Sequence, residues 1–372
     1  MTAALTATER WRRTVNFEPV DRPVRFETIG YWKETFARWH REGLPGSIAV
    51  EASAVLYFQM DLMAPVGVGD HENPGFWPPM ELGVVEETER YRIIRTPAGG
   101  TWKEFKDGSS SRPEFLTFAV KNLDDFQKLK ARLSPEDEGR YKIWEPFIQM
   151  SPGLKVPLYV LCCGLFGFAR HLLGFERLME SYFDQPELIH AFGEQWVKLC
   201  AGALERVAKR APIHGVWFWE DMAYRNGSLI SPKTFREFMT PYYQKVTKRA
   251  RELNAFLLMV DTDGWVGQLI PLFLEAGVNF LLPFEVQADN DILAYRQQYG
   301  KQLGIFGGID KRALFKSREE IEAELESKVP AMLASGGYVP SLDHVVPPEV
   351  SLENFRYFLK RVREIGEKSG KA

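Results

Sequence analysis

AFLLMVDTDGWVGQLIPLFLEAGVNFLLPFE, residues 255–285, reads as one strand–helix–strand unit. The runs 255–260 and 279–285 show little polar alternation, which suits strands covered on both faces in a parallel sheet. Between them, 265–276 has the length of a helix, and Gly277 is placed to cap its end. Acidic side chains stand where the runs stop. Asp261 and Asp263 follow the first, and Glu285 ends the second.

Outward from this unit the pattern repeats along the chain. Eight apolar runs are predicted as strands: PVRFETI (23–29), AVLYFQM (54–60), PLYVLCC (157–163), GVWFWE (215–220), AFLLMV (255–260), NFLLPFE (279–285), QLGIFGG (302–308) and GYVPSL (337–342). Helical segments follow most of them. Residues 231–254 start from Ser231 with Pro232 at the first helical position, 317–337 carry a Ser-x-x-Glu capping box, and 351–370 start from Ser351. Strand and helix alternating eight times predict an α/β chain folded as a (β/α)8 TIM barrel, one domain over 1–372. An open doubly wound sheet is disfavoured, because no GxGxxG follows the first run. A long insertion, about 64–155, separates runs two and three. Within it, 84–105 alternates around Pro97-Ala98-Gly99-Gly100 and predicts a β-hairpin placed as a lid or wall over the barrel mouth.

The chain has 372 residues, 45% of them hydrophobic and 26% charged, and a formal charge of −3. That balance supports a large core and gives no global field toward nucleic acid or an anionic membrane. No basic run interleaved with aromatics suggests nucleic-acid binding, and no apolar stretch reaches spanning length. Cys162, Cys163 and Cys200 have no CxxC spacing, and the N-terminal stretch lacks an apolar signal region, so a reduced, cytoplasmic setting is expected. Cys162 and Cys163 are expected as buried thiols. Of Trp217 and Trp219, one is expected to point inward and one toward the helices.

Barrel active sites lie where strands end. The residues there are Asp61 after run two, His171 after run three, Glu220 and Asp221 after run four, and Asp261 and Asp263 after run five. Glu285 ends run six, Asp310 follows run seven, and Asp343 and His344 follow run eight. So many carboxylates at one rim repel one another unless something offsets them. Three readings are open: a divalent metal with oxygen ligands, a cationic substrate, or acids of raised pKa that move protons. Metal candidates are Asp261, Asp263, Glu285, Asp343 and His344. Gly307-Gly308-Ile309-Asp310-Lys311 could be an anion-binding loop or a plain tight turn.

Asp21-Arg22-Pro23-Val24, Gln59-Met60-Asp61-Leu62-Met63-Ala64-Pro65, Leu229-Ile230-Ser231-Pro232 with Phe238-Met239-Thr240-Pro241-Tyr242, and Asp343-His344-Val345-Val346-Pro347-Pro348 ahead of Leu352-Glu353-Asn354 resemble, in order, signatures of the uroporphyrinogen decarboxylase superfamily. The resemblance implies cofactor-free decarboxylation of tetrapyrrole acetate groups or corrinoid-linked methyl transfer. It makes Asp61, which would stabilise a cationic intermediate, and His344 the catalytic candidates. His171 falls near the family's tyrosine. His171, Glu220, Asp221, Asp261, Asp263, Glu285 and Asp310 are then the expected substrate-binding residues.

Two departures matter. The family's strand-one Arg-x-x-x-Arg is replaced here by Phe26-Glu27-Thr28-Ile29-Gly30-Tyr31-Trp32. The methyltransferase branch's His-x-Cys is replaced by Asp261-Thr262-Asp263. The first speaks against a polyanionic porphyrin as substrate, and the second against thiolate-held zinc.

The leading expectation is therefore a decarboxylase-type lyase acting on a carboxylated tetrapyrrole-like or other small molecule. A corrinoid-linked methyltransferase or demethylase is the alternative, and a non-catalytic binding barrel comes third. No cofactor is required by the sequence, and a divalent metal stays open. The expected partner is a small molecule, not nucleic acid or membrane, with a homodimer and a corrinoid protein left open. Asp61→Asn is expected to cut turnover on the order of 100-fold with stability equal or higher.

Overall fold

The computed structural model describes residues 4–27, 30–70, 72–107 and 113–369. Its strands are, in chain order, β1 (Ala64–Gly67), β2 (Gly83–Glu87), β3 (Tyr91–Arg95), β4 (Thr101–Phe105), β5 (Glu114–Thr117), β6 (Leu158–Cys163), β7 (Gly215–Trp219), β8 (Ala223–Tyr224), β9 (Gly227–Ser228), β10 (Leu257–Asp261), β11 (Phe280–Leu282), β12 (Gly304–Phe306) and β13 (Tyr338–Val339). Seven form one parallel sheet in the order β1-β6-β7-β10-β11-β12-β13. The extended segment 23–27 takes the eighth place. Arg25 O accepts from Asp61 N ahead of β1, and the Glu27 carboxylate accepts from Leu342 N beyond β13. The chain is thus a (β/α)8 barrel. Residues 28 and 29 of the first run lie outside the described residues.

Alternation inside each strand builds two cores. Residues two apart share a strand face. Tyr159, Trp217, Leu257, Met259, Phe280, Leu282, Phe306 and Val339 fill the lumen with Val24 and Phe26. Their neighbours Leu158, Val160, Val216, Phe218, Leu258, Val260, Leu281 and Ile305 pack against the surrounding helices. The helix Ala7–Val15, capped by the Thr6 hydroxyl on Glu9 N, closes the N-terminal end of the lumen. Its Trp11 meets Phe306 and Phe26 edge-on, at ring distances of 5.8 and 6.3 Å. Trp217 belongs to the lumen core, while Trp219, at the end of β7, packs against the helix-side core, as expected of the pair.

The large correction concerns run two. Residues 54–60 are not a strand. Glu51–Tyr57 is a helix, with Ala54, Val55 and Phe58 turned to the core at helical spacing and Leu56 left exposed. Gln59 at φ 56 turns the chain out of it. The second barrel strand is β1, ten residues later than expected at its start, so the insertion begins after Gly67. The short run of apolar residues could serve either period, and length alone did not settle it.

The capping box on Ser317 and Glu320 forms as expected, opening the helix Arg318–Ser335. The expected 231–254 helix is two, Pro232–Phe238 and Thr240–Glu252, broken at Met239 ahead of Pro241. The hairpin at 84–105 forms between β3 and β4 and is the centre of a four-stranded antiparallel sheet, β2-β3-β4-β5. Among the described residues no helix is long and apolar enough to cross a membrane.

Candidate active site

The C-terminal ends of the parallel strands carry the candidate site. Asp261 closes β10 in register with Trp219. It lies on the face of Leu257 and Met259, so its carboxyl belongs to the lumen side of the mouth. It is 5% exposed, and among the described residues its carboxyl makes no hydrogen bond. Burial first, then the charges of Asp263, Asp221 and Glu285, hold its pKa well above the usual carboxylate range.

Two residues on, Asp263 Oδ2 lies 3.2 Å from His344 Nε2, reaching from the β10 end to the loop after β13. Its Oδ1 is buried without a hydrogen-bond partner. Glu285 follows β11 and accepts from Gly264 N at 2.9 Å, which fixes its carboxylate beside the same loop. Burial and then Asp263 raise its pKa. One ligand atom each from Asp263, Glu285 and His344 falls within 4.8 Å of the others. Burial pulls the imidazole's pKa down, but the hydrogen bond and charge of Asp263 outweigh that and leave it above the ordinary value.

Around this triad the remaining charges are tied. Asp343, fully buried, accepts from Val286 N and Lys311 N, and Lys311 Nζ sits 3.5 Å from it. Both its oxygens are engaged, so it braces the loops after β11 and β12 rather than offering a ligand. Arg170 pairs with Asp221 at 3.1 Å and lies over Trp219, with His171 stacked on the same indole at 6.0 Å. His171 also faces Trp102, Phe115 and Thr96, so the inserted sheet covers this side of the mouth.

Several expected site residues are placed elsewhere. Asp61 precedes β1 and sits at the N-terminal end of the barrel, opposite Asp261. There it takes Arg10 at 2.8 Å, Arg22 at 2.8 and 2.9 Å, and Arg25 N at 2.9 Å. It shares no cavity with the triad. Glu220 is fully buried. Its oxygens accept from Phe166 N, Gly167 N and the Tyr243 hydroxyl, so it cannot reach a substrate. It holds the start of the helix Leu165–Leu173, which carries Arg170 and His171. Asp310 is spent on Arg312. The Gly307–Gly308 N–H groups bond to Val339 O and Pro283 O, so this loop is the tight turn and not an anion cradle. Arg170 had no signal in the sequence beyond lying near a strand end, and Lys311 entered only as the last residue of the Gly307–Lys311 loop.

Burial also sets a pH dependence. Glu27 is pushed up to about 8 and Glu220 to about 7, chiefly by desolvation. Above pH 4.5 the unfolded chain ionises these groups while the fold keeps them protonated. The folded state then binds more protons, and stability falls as pH rises through these values, by about 1.4 kcal/mol per unit for each group. Glu27→Gln is expected to flatten this loss and raise Tm at pH 8. Melting curves between pH 5 and 9 that run parallel for both proteins would refute it.

A (β/α)8 barrel with an acid-rich mouth is the class that fold and site define. The uroporphyrinogen decarboxylase (URO-D) family model matches residues 97–365, and the chain belongs to that family. Uroporphyrinogen decarboxylase of Cellvibrio japonicus is 24% identical over 198 residues, 51% of this chain and 52% of that protein. The same enzyme of Protochlamydia amoebophila is 21% identical over 252 residues, 66% of this chain and 65% of that protein. The chain thus spans about half the length of the first curated relatives it matches. Among solved structures, a methyltransferase from Methanosarcina mazei superposes with a TM-score of 0.63 at 15% identity, covering 97% of this chain and 99% of that one.

Proposed function

We propose that this member of the family is a metal-dependent methyl-transfer enzyme acting on a small molecule at the C-terminal mouth. The observation that carries the reading is the convergence of Asp263, Glu285 and His344, with a buried carboxylate oxygen of Asp263 left without a partner. Two carboxylates and an imidazole are a donor set for a divalent ion of intermediate hardness, with coordination positions left for substrate. Such an ion, when bound, polarises the heteroatom that loses or gains the methyl group. The residues of the chain do the rest. Gly264 N orients Glu285, His344 and Asp263 orient each other, and Asp343 with Lys311 fixes the loops that carry them. Asp261 gives the mouth an acidic group beside the substrate position. The inserted sheet helps keep water from the His171 side.

Decarboxylation of a porphyrinogen is less well supported. Asp61, its expected charge stabiliser, lies at the other end of the barrel. Arg170 and Lys311 are already paired, so an acidic substrate would meet carboxylates. The methyl carrier such a transfer needs would be a corrinoid protein, as the family resemblance implies. Metal analysis of the purified protein is expected to find about one divalent ion per chain, and uroporphyrinogen is expected to leave an assay unchanged. A protein that takes up no divalent ion and releases carbon dioxide from uroporphyrinogen would overturn the reading.

A further inference from the structure

At the N-terminal end of the barrel, away from the mouth, lies a second constellation, of the opposite sign. The C-terminal helix Leu352–Ser369 presents Arg356, Lys360 and Arg363 along one face, at helical spacing toward the end of the helix Glu51–Tyr57. Between them is a cavity of about 450 Å³, lined by these three cations with Tyr57, Phe58 and Gln59. Arg363 donates to Phe58 O, but its Nε is buried with no partner. Arg356 donates to the Tyr57 hydroxyl at 2.7 Å.

Beside Arg363 stands Arg25, on the outward face of the first stave. Its neighbours Val24 and Phe26 point into the lumen. Among the described residues the Arg25 side chain makes no hydrogen bond and no salt bridge. Desolvation, then the charges of Arg22 and Arg363, bring its pKa down to about 10. Arg22 is committed to Asp61. Of the two carboxylates on the rim, Glu364 is held by Arg361 and loosely by Lys360, and Glu367 is the partial counter-charge to Arg25 and Arg363. Guanidinium groups that converge, half-buried and short of acceptors, are costly in an empty site and match the oxygens of a phosphate.

We infer that this cavity binds a phosphate-bearing small anion through Arg356, Lys360 and Arg363, with the charge of Arg25 adding from the first stave. The volume accommodates a molecule of nucleotide size, and the half-exposed Tyr57 ring offers a stacking surface for its planar part. The site is independent of the metal reading of the mouth. Binding there stabilises the joint between the helix Glu51–Tyr57 and the C-terminal helix.

The test is thermal melting and calorimetry of the full chain with inorganic pyrophosphate, ADP and adenosine, against sodium chloride and sulfate at matched ionic strength. Pyrophosphate and ADP are expected to raise Tm saturably, while chloride does not. A stronger effect of ADP than of pyrophosphate marks a nucleotide, and equal effects mark a simple phosphate anion. Arg356→Gln and Lys360→Gln are expected to weaken binding at least tenfold each, with divalent-metal content unchanged. Lys360 is exposed and paired only loosely with Glu364 at 3.6 Å, so its substitution leaves the fold intact. Equal shifts with every salt, or undiminished binding in both variants, would overturn the proposal.

Discussion

Asp61→Asn is expected to cost about 3–5 kcal/mol of stability, the range for removing one partner of a buried ion pair. The Asp61 carboxylate is 5% exposed and accepts from two guanidiniums and a backbone N–H. Arg10, almost fully buried, is shared between Asp61 and Asp21. The amide can accept one of these bonds, but it turns an N–H₂ donor toward guanidinium donors and removes the charge they were buried against. The damage reaches three parts of the chain at once: the N-terminal helix, the first stave and the approach to β1. Chemistry at the mouth is expected to persist per folded molecule, because the site stands at the other end of the strands. Denaturant unfolding with turnover measured on the folded fraction checks both halves. Unchanged stability with lost turnover would place Asp61 at the chemistry after all.

Asp263→Ala and His344→Ala are each expected to lower divalent-metal affinity and turnover on the order of 100-fold or more, since even loss of an outer-shell partner reaches that range. The Asp263 change should leave the metal-free protein equally stable or more so. Asp263 adds to the repulsion that raises the pKa of Asp261 and of Glu285, and removing it relieves both. Groups assembled for binding are expected to oppose folding slightly when their ligand is absent. Metal titration and melting temperature, each measured with and without chelator, separate this from a structural role. If Asp263→Ala destabilised the metal-free protein by several kcal/mol and bound metal as the parent does, the triad would be a brace.

Much of the architecture was legible in the chain. The 255–285 unit declared parallel strands by apolar runs without alternation, and β10, β11 and the helix between them fall inside it. Local signals of known stereochemistry held as well. Ser231 and Ser317 cap helices, and the Pro97–Gly100 turn sits between β3 and β4. Run 54–60 misled because seven residues with mixed apolar spacing fit a short strand or two helical turns. That choice is made by what packs around them.

The site separates along the same line. The sequence by itself determined that acids follow strand ends, because each strand's direction and the alternation of its side chains are local properties. It therefore placed Asp261, Asp263, Glu285 and His344 at one mouth. Which carboxylates are available there was decided only by tertiary structure. Glu220 and Asp343 stand at similar positions, yet their oxygens are taken by Tyr243 and Lys311, 23 and 32 residues away. Asp61 follows an apolar run as Asp261 does, but its run is a helix that leads into a strand rather than a strand that leaves the barrel. The same residue type is thereby carried to the opposite end and matched with arginines. Hydrogen-bond partners and dielectric are set by groups distant in sequence, and they, not the residue type, fix whether a carboxylate braces the fold or faces a ligand.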